Sequence, residues 1–480
     1  MSPTDSPNNK ISHPVQISIA HLLGKSEAME GELLESGKKL QLSGWIKTHR
    51  QSKKVSFIEI SDGSSVKGFQ LVIDPQIAGY QKHSAQLTTG ASITVEGILT
   101  PSLGGGQKWE MQVSHLELIG GSDADNYPLQ KKGHSLEFLR DHPNLRMRSN
   151  TLGAVMRVRS AASFAVHSFF KERGFYLLHA PVITTSDCEG AGEMFRVTTL
   201  SLNADKNTSD KEDFFGRPTF LSVSGQLEAE IAASALGAVY TFGPTFRAEN
   251  SNTPRHLAEF WMIEPEVSFC DLHGNINLAS DFVSSVIQQV ISDSAEDLAF
   301  LHSRDWCEEG LLKTLQSVVT KRPEILDYSD AITALEKSNI SFQFPVSWGI
   351  DLQSEHERYL TDVFVKGPVV VINYPKAIKA FYMRENNDGN TVAAMDFLVP
   401  RLGEIIGGSQ REERYDVLKR RIQENGLSVD SYNWYLDLRK FGTAPHSGFG
   451  LGFERLLMYL TGIQNIRDVM PFPRYPGHCL

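Results

Sequence analysis

The chain has 480 residues, 41% of them hydrophobic, and a formal net charge of −10. At one domain per roughly 100–200 residues, that length predicts two to four domains, and the acidic balance excludes general attraction to nucleic acid unless a local basic patch supplies it. No apolar run is long enough to cross a membrane, and Cys188, Cys270, Cys307 and Cys479 form no C-x-x-C pair, which argues against structural zinc and a disulfide framework and for a reducing compartment.

In chain order, residues 1–15 read as a polar tail without an apolar or Arg-rich leader. Residues 16–120 carry five short apolar or alternating runs: LQLSGWI, VSFIEIS, GFQLVID, ASITVEGIL and WEMQVSHLELI. The turn signals SDGSS and SLGGGQ separate some of them, and the set predicts a small barrel of the OB type. Lys47, His49, Arg50, Lys53 and Lys54 make a basic patch there, suited to tracking phosphates. Residues 121–140, polar with Gly and Pro, read as a hinge or linker.

Residues 150–173 predict a long helix with Val155, Val158, Ala162, Phe164, Ala165 and Phe169 near a 3.6 period. GFYLLHAPVIT predicts a strand interrupted by Pro181, and TFGPTFRAE and HLAEFWMIEPEVSF predict two strands joined by a polar loop. Residues 276–341 read as mostly helical, a helical insertion beside the sheet. VVVINYP, VAAMDFLVP and a strand-to-helix unit close the chain. The expected class is α+β: an OB barrel, then a domain over residues 141–480 with an antiparallel sheet flanked by helices.

Three stretches carry candidate chemistry. In FRAENSNTPRHLAEFW, residues 246–261, Arg247 can grip a phosphate through two parallel hydrogen bonds. Glu249 faces the same side, Phe260 offers a ring for a base, and Arg255 and His256 suit distal phosphates. Together they fit a bent nucleoside triphosphate; a solvated hairpin with ordinary ion pairs is the alternative. In SGFGLGFERLLMYLTG, residues 447–462, Gly448, Gly450 and Gly452 lead into a helix whose buried stripe is Phe453, Leu456, Leu457 and Leu460. Arg455 lies off that stripe, where small glycines admit a ligand. In GEIIGGSQRE, Glu404 is a candidate Mg²⁺ ligand, or else a solvated strand end.

These motifs, in this order, resemble the signatures of class II aminoacyl-tRNA synthetases. FFKERGFYLLHAPVIT resembles the first motif, FRAE…RHLAEFW the second and GFGLGFERL the third. GWIKTHRQSKKVSFIEISDGS resembles the anticodon-binding OB domain of the Asp/Asn/Lys subgroup. TTSDCEGAGEMFRV, LSVSGQLEAE, FWMIEPEVSF, YPKAIKAFYMR and PFPRYPGHCL resemble the asparaginyl-tRNA synthetase family.

The resemblance implies an ATP-dependent asparagine–tRNA ligase, a cytoplasmic homodimer using Mg²⁺ and no zinc, with tRNA(Asn), ATP and asparagine as partners. Arg247 would hold the α-phosphate and the amino acid's carboxylate, Glu249 the adenine amine, Phe260 one face of the adenine ring, and Arg455 the γ-phosphate side and the other face. Glu404, with Ser409 as a weaker candidate, would hold Mg²⁺. Glu189 and Gln226 would read the α-amino group. For the side chain, Arg411 would donate to the carboxamide oxygen and Glu264 accept from its NH₂; the alternative is that Glu264 only pairs with Arg411. Where aspartyl enzymes carry a Lys in the helix after this stretch, the chain has Glu228, Ala229 and Glu230. In the OB domain, Phe57, Gln70 and Arg50 would meet the anticodon; read from the residues alone, Phe57 suits the barrel core as well.

Overall fold

In the computed structural model, residues 15–24, 38–104, 107–186, 194–201 and 209–479 are described. The chain divides into two compact units, Met1–Arg157 and Val158–Leu480. The division falls inside the helix Asn150–Glu172, later than residue 141, where the composition shifts.

In the first unit, alternation of buried and outward residues, broken at bulges and where Leu71–Ile73 run buried, builds a barrel. Its strands are β1 (Val15–Gln16), β2 (Leu40–Arg50), β3 (Ser56–Ser61), β4 (Phe69–Ile73), β5 (Ser92–Pro101) and β6 (Trp109–Gly120). The order is β1-β2-β3-β4-β6-β5, and β2 pairs again with β5 to close it. Closure removes the free edges that a sheet of this size would otherwise expose. Leu42, Ile46, Ile58, Ile60, Leu71, Ile93 and Val95 fill the interior. Two strands cross closely at Gly97, where a Cβ would sit 2.3 Å from the Gln112 carbonyl oxygen. Residues 121–140 are not a bare hinge: Leu129 and Leu139 pack with Leu152 into a small core of their own.

The second unit is built on an eight-stranded sheet. Its strands are β7 (Tyr176–Leu177), β11 (Ala238–Phe246), β12 (Glu259–Ser268), β13 (Glu324–Asp327), β14 (Val369–Pro375), β15 (Thr391–Val399), β16 (Gly403–Gln410) and β17 (His446–Gly452); β8 (Ile183–Thr184), β9 (Arg196–Val197) and β10 (Thr219–Leu221) form a separate small sheet. The order is β13-β14-β15-β16-β17-β12-β11-β7, antiparallel through the middle and parallel at both edge pairs.

One face of the sheet is aromatic and covered by helices. Phe170 stacks on Tyr240 at 4.4 Å, Phe282 meets Phe169 at 5.1 Å and Phe449 at 5.8 Å, and Phe453 meets Phe242 at 5.0 Å. Burying several aromatics here contributes on the order of 1.5–3 kcal/mol each. The helix Leu272–Asp293 supplies Phe282 and lies across the centre of the sheet. The expectation of a helical insertion at 276–341 is therefore corrected. Its first helix covers the sheet, and β13, at its end, is an edge strand of that sheet. Phe164, expected in the buried stripe of the long helix, is 71% exposed; Val166 and Phe170 take the inward positions instead. Among the described residues, no helix is long and apolar enough to cross a membrane.

Candidate active site

The other face of the sheet is open and floored by glycine. Gly407 pairs with Gly450 and Ser409 with Gly448 across β16 and β17. A Cβ on Gly448 would lie 2.1 Å from a carboxylate oxygen of Glu266, and one on Gly450 would lie 2.8 Å from Met262. Side chains from β12 therefore lie over bare backbone, and the glycines of β17 make the room they need.

One end of this face belongs to the β11–β12 hairpin. The Arg247 N–H donates to the Ala258 carbonyl at 3.0 Å, carrying the pairing past Phe246–Glu259, and the guanidinium stands 5.3 Å from the Phe260 ring centroid. In the loop, His256 sits 3.6 Å from the Glu249 carboxylate and also meets the Thr253 hydroxyl. Arg255 reaches Ser354; burial and the neighbouring Arg455 hold its pKa below the ordinary value.

In the middle, Arg455 donates to the Glu404 carboxylate and carbonyl, both at 3.2 Å. The register of β15 and β16 shifts between Phe397 and Leu398, so Ile405 is an extra residue. That bulge turns Glu404 onto the face shared by Gly407, Ser409 and Arg411. A Cβ on Gly407 would fall 3.2 Å from Glu404 Oε1 and 3.7 Å from Asp396 Oδ1, so the two carboxylates converge on the space that this glycine leaves empty. Two carboxylates at a bare backbone suit Mg²⁺, which takes one or two from protein and the rest from phosphate and water. Among the described residues there is no cluster of three or more metal-ligating side chains. Lys379 pairs with Asp396 at 2.7 Å. Glu357 accepts the Glu404 N–H at 3.1 Å; burial, then the charges of Glu404 and Asp396, push its carboxyl up to about 8. Ser409, the weaker metal candidate, is corrected: it is fully buried and accepts from Arg411 Nη1 at 2.9 Å.

At the far end, Arg411 does not pair with Glu264. It donates through Nε and Nη2 to both oxygens of Glu266, a fully buried residue. Burial raises the Glu266 carboxyl and Arg411 draws it back; with guanidinium N–H groups on both oxygens the pair is ionic. Glu264 accepts instead from the Ser224 hydroxyl, the Gly225 N–H at 2.9 Å and the Thr241 hydroxyl at 2.8 Å. A carboxylate has about four lone-pair sites and a guanidinium five N–H donors. Three contacts on each leave Glu264 an acceptor and Arg411 two donors to spare. Gln226 donates to Glu230 at 3.1 Å through its NH₂, which keeps its own oxygen available among the described residues around it. Glu230 is held by Arg439, Tyr435 and His446; burial pushes its carboxyl up, but Arg439 and His446 outweigh that and hold it below the ordinary glutamate range. Glu189 lies outside the described residues.

Sequence reasoning missed Glu266, Asp396, Glu357 and Glu230. Two had a signal. Glu266 stands two residues from Glu264 on one strand, hence on the same face, and Asp396 is the single acid inside an apolar strand.

In the barrel, Phe57 and Gln70 both alternate outward. With Arg50, Thr48, Ser102 and Gln107 they line one cavity of about 310 Å³. The cavity brings together all three expected anticodon contacts and answers the core alternative for Phe57. Gln70 donates to Glu110 at 3.1 Å. Two members of the basic patch are corrected. Lys47 donates to the Arg148 carbonyl at 2.7 Å, and the His49 ring is engaged by Leu87, Ser56 and Tyr80. Arg50, Lys53 and Lys54 stay exposed.

Comparison with known proteins gives matching families for both units. Residues 135–476 match the tRNA synthetases class II (D, K and N), and residues 40–119 match the OB-fold nucleic acid binding domain. The chain is 56% identical over 438 residues to an asparagine–tRNA ligase of a Picosynechococcus strain, covering 90% of this chain and 95% of that protein. It is 54% identical over 446 residues to the asparagine–tRNA ligase of Geotalea uraniireducens, covering 92% and 96%. Among solved structures, the asparaginyl-tRNA synthetase of Pyrococcus horikoshii complexed with asparaginyl-adenylate matches with a TM-score of 0.82 at 34% identity, over 93% of this chain and 97% of that one.

Proposed function

The chain belongs to the class II tRNA synthetases of the D, K and N group and, within it, to the asparagine–tRNA ligases, and we propose that the glycine-floored face of β16, β17 and β12 is the place where its residues carry out that chemistry. The enzyme activates asparagine with ATP to asparaginyl-adenylate and pyrophosphate, then transfers asparagine to the 3′-terminal ribose of tRNA(Asn). One observation carries the residue assignment: the glycine-floored face at Gly450, Gly448 and Gly407 lies between a phosphate-and-ring end at Arg247 and Phe260 and a polar buried end at Arg411 and Gln226.

Adenine lies between Phe260 and Arg455, with Glu249 at its amine. Arg247 meets the α-phosphate and the carboxylate of asparagine, holding nucleophile and phosphorus together while negative charge develops. The carboxylate attacks, and pyrophosphate departs toward Arg255, His256 and Arg455. Glu404 and Asp396 would hold Mg²⁺ across Gly407, where it would neutralise phosphate charge. The ribose hydroxyl then attacks the mixed anhydride and AMP leaves. No side-chain nucleophile takes part.

Gln226 receives the α-ammonium through its side-chain oxygen. Arg411, oriented by Glu266, gives its spare donors to the carboxamide oxygen, and Glu264 accepts from the NH₂. Aspartate brings a second carboxylate toward Glu264 and leaves that acceptor unmatched, the arrangement that gives large discrimination without editing.

Phe57 stacks an unstacked anticodon base, Gln70 reads an edge, and Arg50 meets phosphate. Phe164, Tyr176, Leu177 and Ile183, all exposed, fit the seam of a homodimer, and a monomer by sedimentation would exclude it. The site of action is the cytoplasm, in keeping with free thiols at Cys270, Cys307 and Cys479.

ATP–pyrophosphate exchange with Mg²⁺, comparing asparagine with aspartate, tests the selectivity reading. Exchange with asparagine alone supports it; equal exchange with aspartate overturns the roles of Arg411 and Glu264.

A further inference from the structure

The pairing of β12 with β17 ends at Met262–Gly452, because the next residue of the β17 chain, Phe453, already begins a helix. The Trp261 N–H therefore loses the carbonyl that one more ladder step would supply. An unpaired buried N–H is destabilising, so a substitute acceptor is needed. The Glu454 carboxylate is that substitute, accepting the Trp261 N–H at 2.9 Å through Oε2. Its other oxygen stands 2.7 Å from Arg159 Nη2 in an ion pair, and Arg159 lies 4.8 Å from the Phe453 ring centroid. Glu454 is 1% exposed and sits in the first turn of its helix, where the helix dipole favours a carboxylate. The Trp261 indole meets Phe242 on the aromatic face, and the Glu454 carboxylate is buried beside that strand.

The neighbours of these two residues make the bond matter. Trp261 follows Phe260, and Glu454 precedes Arg455. We propose that Glu454 is a positioning residue for ATP: by bonding the Trp261 N–H while anchored by Arg159, it sets the gap between Phe260 and Arg455 in which the adenine ring is held. This rests on the adenine assignment made above. The strand and the helix N-terminus otherwise have no ladder bond to hold them in step beyond Gly452. A gap wrong by a fraction of an ångström weakens stacking on both ring faces at once, while the asparagine end, on the far side of the glycine-floored face, is untouched.

The test compares Glu454→Asp, which keeps the charge but is too short to reach Trp261, with Glu454→Gln, which loses the charge but keeps an acceptor oxygen at full reach. Asparagine-dependent ATP–pyrophosphate exchange gives KM for ATP and for asparagine separately, and neither depends on the fraction of protein correctly folded. We expect Glu454→Asp to raise KM for ATP about tenfold with KM for asparagine nearly unchanged, and Glu454→Gln, which keeps the Trp261 acceptor but turns an NH₂ toward Arg159, to raise it less. A parental KM for ATP in Glu454→Asp, a parallel rise in both KM values, or a larger defect in Glu454→Gln than in Glu454→Asp would each overturn the proposal. Phe260→Leu separates it from its premise. If that variant leaves KM for ATP unchanged, the adenine assignment fails; if it raises KM and Glu454→Asp does not, only the positioning role fails.

Discussion

Replacing Glu266 with Gln isolates the role of the side chain that bonds Arg411, the residue proposed to read the carboxamide. In the structure both oxygens of Glu266 receive Arg411, and the two side chains are 0% and 3% exposed. Gln keeps one acceptor and turns the other position into a donor facing a guanidinium. Breaking a buried pair by removing one partner costs about 3–5 kcal/mol, and because half of the acceptor survives we take the lower end, about 3 kcal/mol. Ser409 still holds Arg411 Nη1 at 2.9 Å, so the guanidinium stays in the site but loses its aim. If the loss falls on asparagine recognition, kcat/KM for asparagine drops about 100-fold at 1.4 kcal/mol per tenfold, while KM for ATP changes little. The assay is ATP–pyrophosphate exchange over asparagine and ATP concentration series, with urea unfolding run alongside. An unchanged kcat/KM for asparagine in a variant of parental stability would refute the idea that Glu266 aims Arg411.

Gly407→Ala places a methyl 3.2 Å from Glu404 Oε1, between the two carboxylates. The Mg²⁺ concentration for half-maximal exchange is expected to rise about tenfold, in line with disturbed metal surroundings elsewhere, and an unchanged Mg²⁺ requirement would move the ion away from this place. Glu230→Gln addresses pH. The depressed carboxyl of Glu230 contributes stability that is present above the ordinary value of 4.5 and is lost as pH falls below it toward the folded-state pKa. The variant is therefore expected to be less stable than the parent at neutral pH, with the gap closing on acidification; urea midpoints that differ by the same amount at both ends would contradict this sign. Phe57→Leu removes the stacking ring, worth about 1–3 kcal/mol per base, so kcat/KM for tRNA aminoacylation should fall about 5- to 150-fold. Exchange without tRNA should be unaffected, and a parental aminoacylation rate would remove Phe57 from the anticodon surface.

The barrel was legible because its period of two is local information. Phe57 lies between buried Ser56 and Ile58, so its outward direction follows from alternation once Ile58 is assigned inward. The buried stripe Phe453, Leu456, Leu457 and Leu460 was legible for the same reason, at a period of 3.6. Phe164 was misplaced because an aromatic residue one position off a helical stripe looks like a member of it until the neighbouring layer is known.

What the sequence alone determined was the element types, the order of the three motif stretches and the residue kinds that can handle phosphate, base and amide. Partner choice was decided only by the tertiary structure. Glu264 and Glu266 are equally good partners for Arg411 by charge and by strand face; only the register of β12 on β17 and of β17 on β16, with Gly448 leaving room between them, gives Glu266 to Arg411 and leaves Glu264 to Ser224, Gly225 and Thr241. Likewise, no local pattern sends Glu404 toward Asp396 rather than away from it. A single extra residue at Ile405 does so, because one residue of slip on a strand reverses which face a side chain meets, and that slip exists only once two strands are paired.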